Sequence, residues 1–178
     1  MDGYQISTIL NRLNETKSLF LGIYSYDDIP NVQSNYDGFY IFNTIGGSNT
    51  DAIGHWILVF CCNNTTFFFD SMGQKPEAYG PKISNFFYSY PFKRIIVFTR
   101  QIQNSFSMVC GAYSIMFAYL MAKNGRISFI KSKFGRNTCK NDEIAIKFLY
   151  NLLGYDSCFK FLCSKKVFHR NCMVPCHC

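Results

Sequence analysis

Residues 55–70 read His-Trp-Ile-Leu-Val-Phe-Cys-Cys-Asn-Asn-Thr-Thr-Phe-Phe-Phe-Asp. Two runs of aliphatic, β-branched and aromatic residues flank Asn63-Asn64, which predicts two strands joined by a tight turn. A turn centred between the asparagines sets Asp70 opposite Ile57. His55 lies two residues further along, so its side chain shares a sheet face with that of Asp70. Diagonal neighbours of this kind sit about 7 to 8 Å apart at the backbone, within reach of long side chains. An imidazole and a carboxylate then meet at one end of the hairpin, where the carboxylate can orient a general base.

Helical spacing of Ile6, Ile9, Leu10 and Leu13 predicts a helix within Tyr4–Lys17. Extended stretches around Leu19–Tyr26 and Phe39–Ile45 follow, separated by a turn-rich segment with Pro30 and Asp37-Gly38. Beyond the hairpin, Ile83, Phe86, Phe87 and Tyr90 suggest a helix within Pro76–Tyr90, and Arg94–Thr99 reads as a short buried strand. Gly111–Ala122 is apolar almost all round, the pattern of a helix at the centre of a domain. Asn141-Asp142-Glu143 opens a last helix that Gly154 stops. The fold class expected is α+β, a central mixed sheet flanked by helices. Residues 1–178 are expected to form one domain, with a basic Cys-rich tail at about 155–178.

Composition agrees. The 178 residues suit one domain, and 48% hydrophobic against 16% charged residues excludes a disordered or low-complexity chain. Aromatic residues at 18% point to a dense interior. No apolar run approaches the roughly 18 to 20 residues of a bilayer span, so no membrane partner is expected. Met1-Asp2-Gly3-Tyr4 lacks the basic start and apolar stretch of a signal peptide, which implies an intracellular protein. In such a compartment the nine cysteines are read as buried thiols, a nucleophile or metal ligands rather than a disulfide scaffold.

Cys110 is the candidate nucleophile. It immediately precedes the buried helix, whose positive dipole end lowers a thiol pKa from about 8.5. Gln103, in the loop before it, can donate from its side-chain amide to an oxyanion, with the Cys110 backbone N–H as second donor. His55, Asp70, Gln103 and Cys110 thus supply base, orienter, oxyanion donor and nucleophile. Taken singly, each has an ordinary structural reading; the ordered set carries the chemistry.

Charge is unevenly placed. Residues 1–110 carry a net −1 and residues 111–178 a net +8. The densest cluster is Lys123, Arg126, Lys131, Lys133, Arg136 and Lys140. It is either a solvated face or a footprint for nucleic acid.

The order His55-Trp56, hairpin, acidic residue, Gln103, Cys110-Gly111 resembles the adenovirus-type cysteine proteases (the adenain family) and the related SUMO-specific proteases. The interval Gln103–Gly111 and the segment Phe67–Gly73 follow the adenain pattern, and the resemblance covers roughly residues 40 to 155. It implies a thiolate that attacks the carbonyl after a glycine, with His55 as base and Gln103 in the oxyanion hole. Trp56 would wall a narrow channel selecting small residues, and Gly111 would belong to the substrate side. The substrates implied are viral precursor proteins cut after Gly during virion maturation, which places the protein in the infected cell, the nucleus included, and in the virion. DNA and an activating peptide are the cofactors implied; no small-molecule cofactor is expected, and the enzyme is expected to be a monomer. Two departures stand out. The acidic member is Asp70, as in the SUMO-protease branch rather than adenain, and no cysteine lies between Cys62 and Cys110 to hold a peptide by a disulfide.

Alternatives remain at the level of sequence. One is a deconjugating protease for ubiquitin-like modifiers ending in Gly-Gly; another is a non-catalytic DNA- or zinc-binding protein on this fold. Cys158, Cys163, His169, Cys172, Cys176, His177 and Cys178 crowd the tail, but their intervals match no common zinc motif, and no metal is assigned to them. A packed tail of reduced thiols is the reading kept. Gly46-Gly47 is read as backbone freedom before the site rather than a self-cleavage point.

Overall fold

The computed structural model describes residues 1–31, 37–46, 54–89 and 94–154. Gly47 and the Cys-rich tail at 155–178 lie outside these. The order of elements is α1 (Gly3–Arg12), β1 (Phe20–Tyr24), β2 (Gly38–Asn43), β3 (Trp56–Cys62), β4 (Thr65–Phe69), α2 (Pro81–Tyr88), β5 (Arg94–Val97), α3 (Cys110–Asn124), α4 (Ile127–Ser132) and α5 (Thr138–Leu153). Short 3₁₀ turns at Tyr26–Asn31 and Pro76–Tyr79 complete it.

The strands form one sheet in the order β1-β2-β3-β4-β5. It is mixed: the outer pairs β1/β2 and β4/β5 are parallel, the inner pairs antiparallel. Asn63 and Asn64 both adopt positive φ, 49° and 59°, the mirror-image turn whose twist suits a two-residue hairpin. The register pairs Leu58 with Phe69, so the next step sets Asp70 across from Ile57, as the hairpin arithmetic requires.

Alternation along the strands divides the core. Phe39, Ile41, Leu58, Phe60 and Phe69 face one side and pack with α1, α3 and α5. Tyr40, Phe42, Ile57, Val59 and Phe68 face the other, under α2 and the Tyr26–Asn31 turn. With both faces covered, β2 and β3 need no polar stripe, which is why they read as continuous apolar runs. α3 crosses the first face against β3, α1, α4 and α5, and is buried from Cys110 to Ala118. Phe117 sits inside this layer; truncation of such a residue to Ala costs about 3–5 kcal/mol. No helix among the described residues is long and apolar enough to cross a membrane.

Several boundaries differ from expectation, each for a local reason. α1 stops at Arg12 because Leu13 turns extended and the Thr16 hydroxyl takes the Leu10 carbonyl at 2.6 Å. The Pro76–Tyr90 stretch breaks at Gly80, whose φ of 92° no helix accommodates. α5 starts earlier, because Asn137 rather than Asn141 caps it, accepting from the Lys140 N–H. α4 was not expected; its six residues are too few for a periodic signal. The strand at Arg94 is not buried as predicted. It pairs only with β4, and at this edge Ile95 is 44% exposed.

Candidate active site

His55 and Asp70 occupy the end of the β3/β4 hairpin remote from its turn. The strand context holds His55 from behind, since its backbone N–H donates to Thr44 Oγ1 at 3.1 Å and its carbonyl accepts from Thr44 N at 3.0 Å. The His55 Nε2 and Asp70 Oδ1 atoms are 2.5 Å apart. Asp70 is wholly buried, and its charge is met by donors: Met72 N at 2.9 Å, Gln74 N at 2.7 Å and the Tyr79 hydroxyl at 2.8 Å. The backbone must curl tightly to deliver two N–H groups to one carboxylate, and Gly73 permits it. Its φ is 72°, and a Cβ there would come within 2.5 Å of Gln101 N.

Tyr79 was not identified from the sequence. Its ring stacks on the His55 imidazole with centroids 5.9 Å apart, and its hydroxyl binds the carboxylate that orients the imidazole. Burial and the adjacent Asp70 charge keep the Tyr79 hydroxyl protonated, as a donor. No periodicity marks it; the only sequence cue was an aromatic residue a few positions beyond Pro76.

α3 aims its first residue at this end of the sheet. Cys110 is buried and lines the same cleft as His55, and with Nε2 engaged by Asp70 the remaining ring nitrogen, Nδ1, is the one left for the sulfur. Burial pushes the thiol up, but the bond to His55, the His55 charge, the Trp56 backbone N–H and the amino terminus together hold it below its ordinary value. For His55, burial disfavours the imidazolium; the bonds to Asp70 and Cys110 and their charges outweigh this and raise its pKa from 6.5 to about 9. The opposite directions describe one thiolate–imidazolium pair.

Gln103 is 2% exposed, and its orientation is unambiguous. Its Oε1 accepts from the Ser71 hydroxyl at 2.6 Å, and its Nε2 donates to the Ser107 carbonyl at 2.8 Å. One Nε2 hydrogen remains. Val109, the residue before α3, offers no side-chain cap to the N–H groups of the helix start.

A cleft of about 380 Å³ joins these residues. His55, Trp56, Tyr79, Gln103 and Cys110 line it, with Met1, Met72 and Met108 among their apolar neighbours. Trp56 is both wall and core: it packs with the α1/α3 cluster, and its indole N–H donates to the Met1 carbonyl at 3.1 Å. Gly111 stands behind the cleft, where a Cβ would press on Ile6 Cδ1 and Met1 Cβ at 3.2 Å; its bareness lets α1 approach α3.

The basic cluster is elsewhere. Lys123, Arg126, Lys131, Lys133, Arg136 and Lys140 are all exposed, along α4 and the helix ends beside it, and none forms an ion pair among the described residues. Lys123, Lys133 and Lys147 border a groove between α3 and α5, while Lys131 lies over Phe98. Among the described residues no group of side chains is arranged to hold a metal ion.

No protein-family model matches the chain, and no characterised protein matches it in sequence. The fold has solved counterparts. The crystal structure of the ASFV pS273R protease superposes with a TM-score of 0.51 at 17% identity, covering 79% of this chain and 63% of that one. The chain therefore spans less than two thirds of the length of that protease, and what they share is the fold, an α+β arrangement around a mixed sheet.

Proposed function

We propose that the chain is a cysteine endopeptidase of the adenain and SUMO-protease type, cutting viral precursor proteins after glycine. The observation that carries this reading is the His55–Asp70 hydrogen bond behind a cleft that His55, Cys110 and Gln103 line together. That a protein of the same fold is named a viral protease adds to it.

The chemistry follows from the atoms in place. The Cys110 thiolate attacks the scissile carbonyl, and the carbonyl oxygen becomes an oxyanion. The remaining Gln103 Nε2–H and the Cys110 N–H are the donors this reading assigns to that oxygen. The His55 imidazolium gives its proton to the leaving amine as the C–N bond breaks, producing a thioester and neutral imidazole. Neutral His55 then takes a proton from water, whose hydroxide adds to the thioester. Collapse releases the carboxylic acid and restores the thiolate–imidazolium pair. Asp70 keeps the ring aligned through both proton transfers, and Tyr79 keeps both in register. Preference for glycine comes from Trp56, whose ring narrows the cleft against side chains bearing a Cβ.

Labelling with a Gly-Gly peptide carrying a thiol-reactive C-terminal warhead tests the reading. Modification confined to Cys110 and absent from Cys110→Ala supports it. Failure of well-folded wild type to label, with or without DNA, overturns it and favours a non-catalytic binding protein. Equal labelling by a folded ubiquitin-like modifier and a short peptide would instead favour the deconjugating alternative. DNA is proposed as a cofactor on the strength of the six exposed cations, and stimulation that fades with added salt is its signature.

A further inference from the structure

Gln103 sits in the loop between β5 and α3. Toward β4, Ile102 N and Gln103 N both donate to the Ser71 carbonyl, at 2.9 and 3.0 Å. On the opposite side the two residues flanking Gln103 are gripped by helices. The Ile102 carbonyl accepts from Asn141 Nδ2 at 3.0 Å and lies 3.1 Å from the Tyr113 hydroxyl oxygen. The Asn104 N–H donates to Asp142 Oδ1 at 3.3 Å.

Asp142 is the unusual member. It is 6% exposed on the inner face of α5, and among the described residues no Lys, Arg or His pairs with it. A carboxylate buried without a cation is costly, and an aliphatic side chain would suit that position better if packing were its only task. Burial raises its pKa against the nearby Ser107 hydroxyl and the bonds from Tyr113 and the Asn104 backbone, which favour the charged form. Only Oδ1 makes well-formed bonds, to Asn104 N and, at 2.8 Å, to the Tyr113 hydroxyl. Oδ2 has no partner of good geometry, and the Ser107 hydroxyl donates to the Asn104 carbonyl at 3.0 Å. The Tyr113 hydroxyl has one proton and two acceptors. Asn141 already serves Ile102, so the proton belongs to Asp142 whenever the carboxyl is ionised. One oxygen thus ties α3 and α5 to the residue that follows Gln103.

We infer that Asp142 is a positioning residue for the oxyanion site: anchored by the Tyr113 hydroxyl and accepting from the Asn104 N–H, it fixes the backbone that follows Gln103, aiming the remaining amide hydrogen at the developing oxyanion. The inference rests on the protease reading, and it concerns only the step in which the carbonyl oxygen becomes charged. Attack of Cys110 on an alkyl halide develops no oxyanion and is indifferent to Gln103. The pair of reactions separates positioning from general damage.

Wild type, Asp142→Ala, Asp142→Asn and Tyr113→Phe are compared in three assays: turnover of a Gly-containing peptide, affinity for a Gly-Gly peptide aldehyde that adds the Cys110 thiol reversibly, and alkylation of Cys110 by iodoacetamide. Asp142→Ala should lower kcat by about 10- to 100-fold with KM within about threefold, weaken aldehyde binding by a similar factor, and leave alkylation within about twofold. Asp142→Asn presents an amide oxygen in place of Oδ1 and should keep kcat within about threefold of wild type. Equal losses of turnover and alkylation in Asp142→Ala overturn the inference, as does an unchanged kcat. Where Asp142→Ala does not fold, Tyr113→Phe decides: a fall in kcat of about three- to tenfold with alkylation intact supports the inference, and an unchanged kcat overturns it. Wild type that is alkylated at Cys110 yet neither cleaves peptide nor binds the aldehyde overturns the protease reading itself, and the inference with it, an outcome that needs no variant.

Discussion

The two charged regions of the molecule are built on opposite principles. At the hairpin end, Asp70 is removed from water and His55 is mostly buried, every oxygen of the carboxylate is met by a donor, and the geometry is over-determined. Beside α4, six cations stand in solvent without acidic partners among the described residues, and three rest on rings: Lys133 lies 4.3 Å from the Phe129 centroid, Lys123 5.5 Å from that of Tyr119 and Lys131 5.7 Å from that of Phe98. In a low dielectric a single charge reorganises the ionisation of its neighbours, which is what a nucleophile and base require. Exposed charges screened by salt barely alter one another, but they add up to a field that reaches a polyanion. The proposed function assigns catalysis to the first region and attraction to the second.

The sharpest way to break this contrast is to remove one element of the buried set. Gln103→Ala should lower kcat by about 10²–10³-fold while leaving iodoacetamide alkylation of Cys110 unchanged, because the thiolate does not depend on the amide. A parallel fall in alkylation would mean that Gln103 holds the fold rather than the oxyanion.

Next in size is Asp70→Asn, read through pH. The His55 pKa of about 9 lies above its ordinary 6.5, so the imidazolium persists through neutral pH and activity should fall as pH rises through about 9. Asparagine can keep a hydrogen bond but not the charge, so this alkaline limb should move to lower pH, visible in kcat/KM against pH. Stability follows the same sign. The contribution of the protonated His55 is complete below 6.5 and is lost as pH rises through about 9, which thermal unfolding across that window would record.

The smallest effects belong to the basic region. Replacing Lys123, Arg126 and Lys133 together with Glu should change stability by no more than about 0.5 kcal/mol per site and leave turnover of a short peptide unaltered. In a DNA titration the slope of log affinity against log salt should become shallower by about 0.9 for each phosphate the variant no longer neutralises. A fall in peptide turnover would show that the two regions are coupled after all.

The hairpin was legible in advance because a strand obeys a period of two and a two-residue turn fixes register; the placement of His55 and Asp70 on one face needed nothing more. The central helix was legible because Gly111–Ala122 offers no polar face. The burial of Arg94–Thr99 was misjudged because Ile95 and Ile96 look alike whether a strand is central or at an edge, and strand order is not written in local pattern. Tyr79, Ser71 and Asp142 escaped for a related reason. Each acts through a contact made by a loop or a distant helix, and Asp142 in particular looks like the polar opening of a helix when read along the chain. Gly111 was placed on the substrate side by the family resemblance; the packing adds that its missing side chain makes room for α1.

The sequence by itself determined the hairpin, the apolar central helix, the order of the four candidate site residues and the uneven division of charge. These depend on periodicity, turn chemistry and composition, which are properties of neighbours along the chain. Only the tertiary structure decided that the start of α3 meets the start of β3, that Tyr79 and two loop N–H groups saturate Asp70, and that α5 holds the loop of Gln103. Such meetings arise from packing both faces of a twisted sheet, and close contacts between distant segments exist only once that packing has brought the segments together.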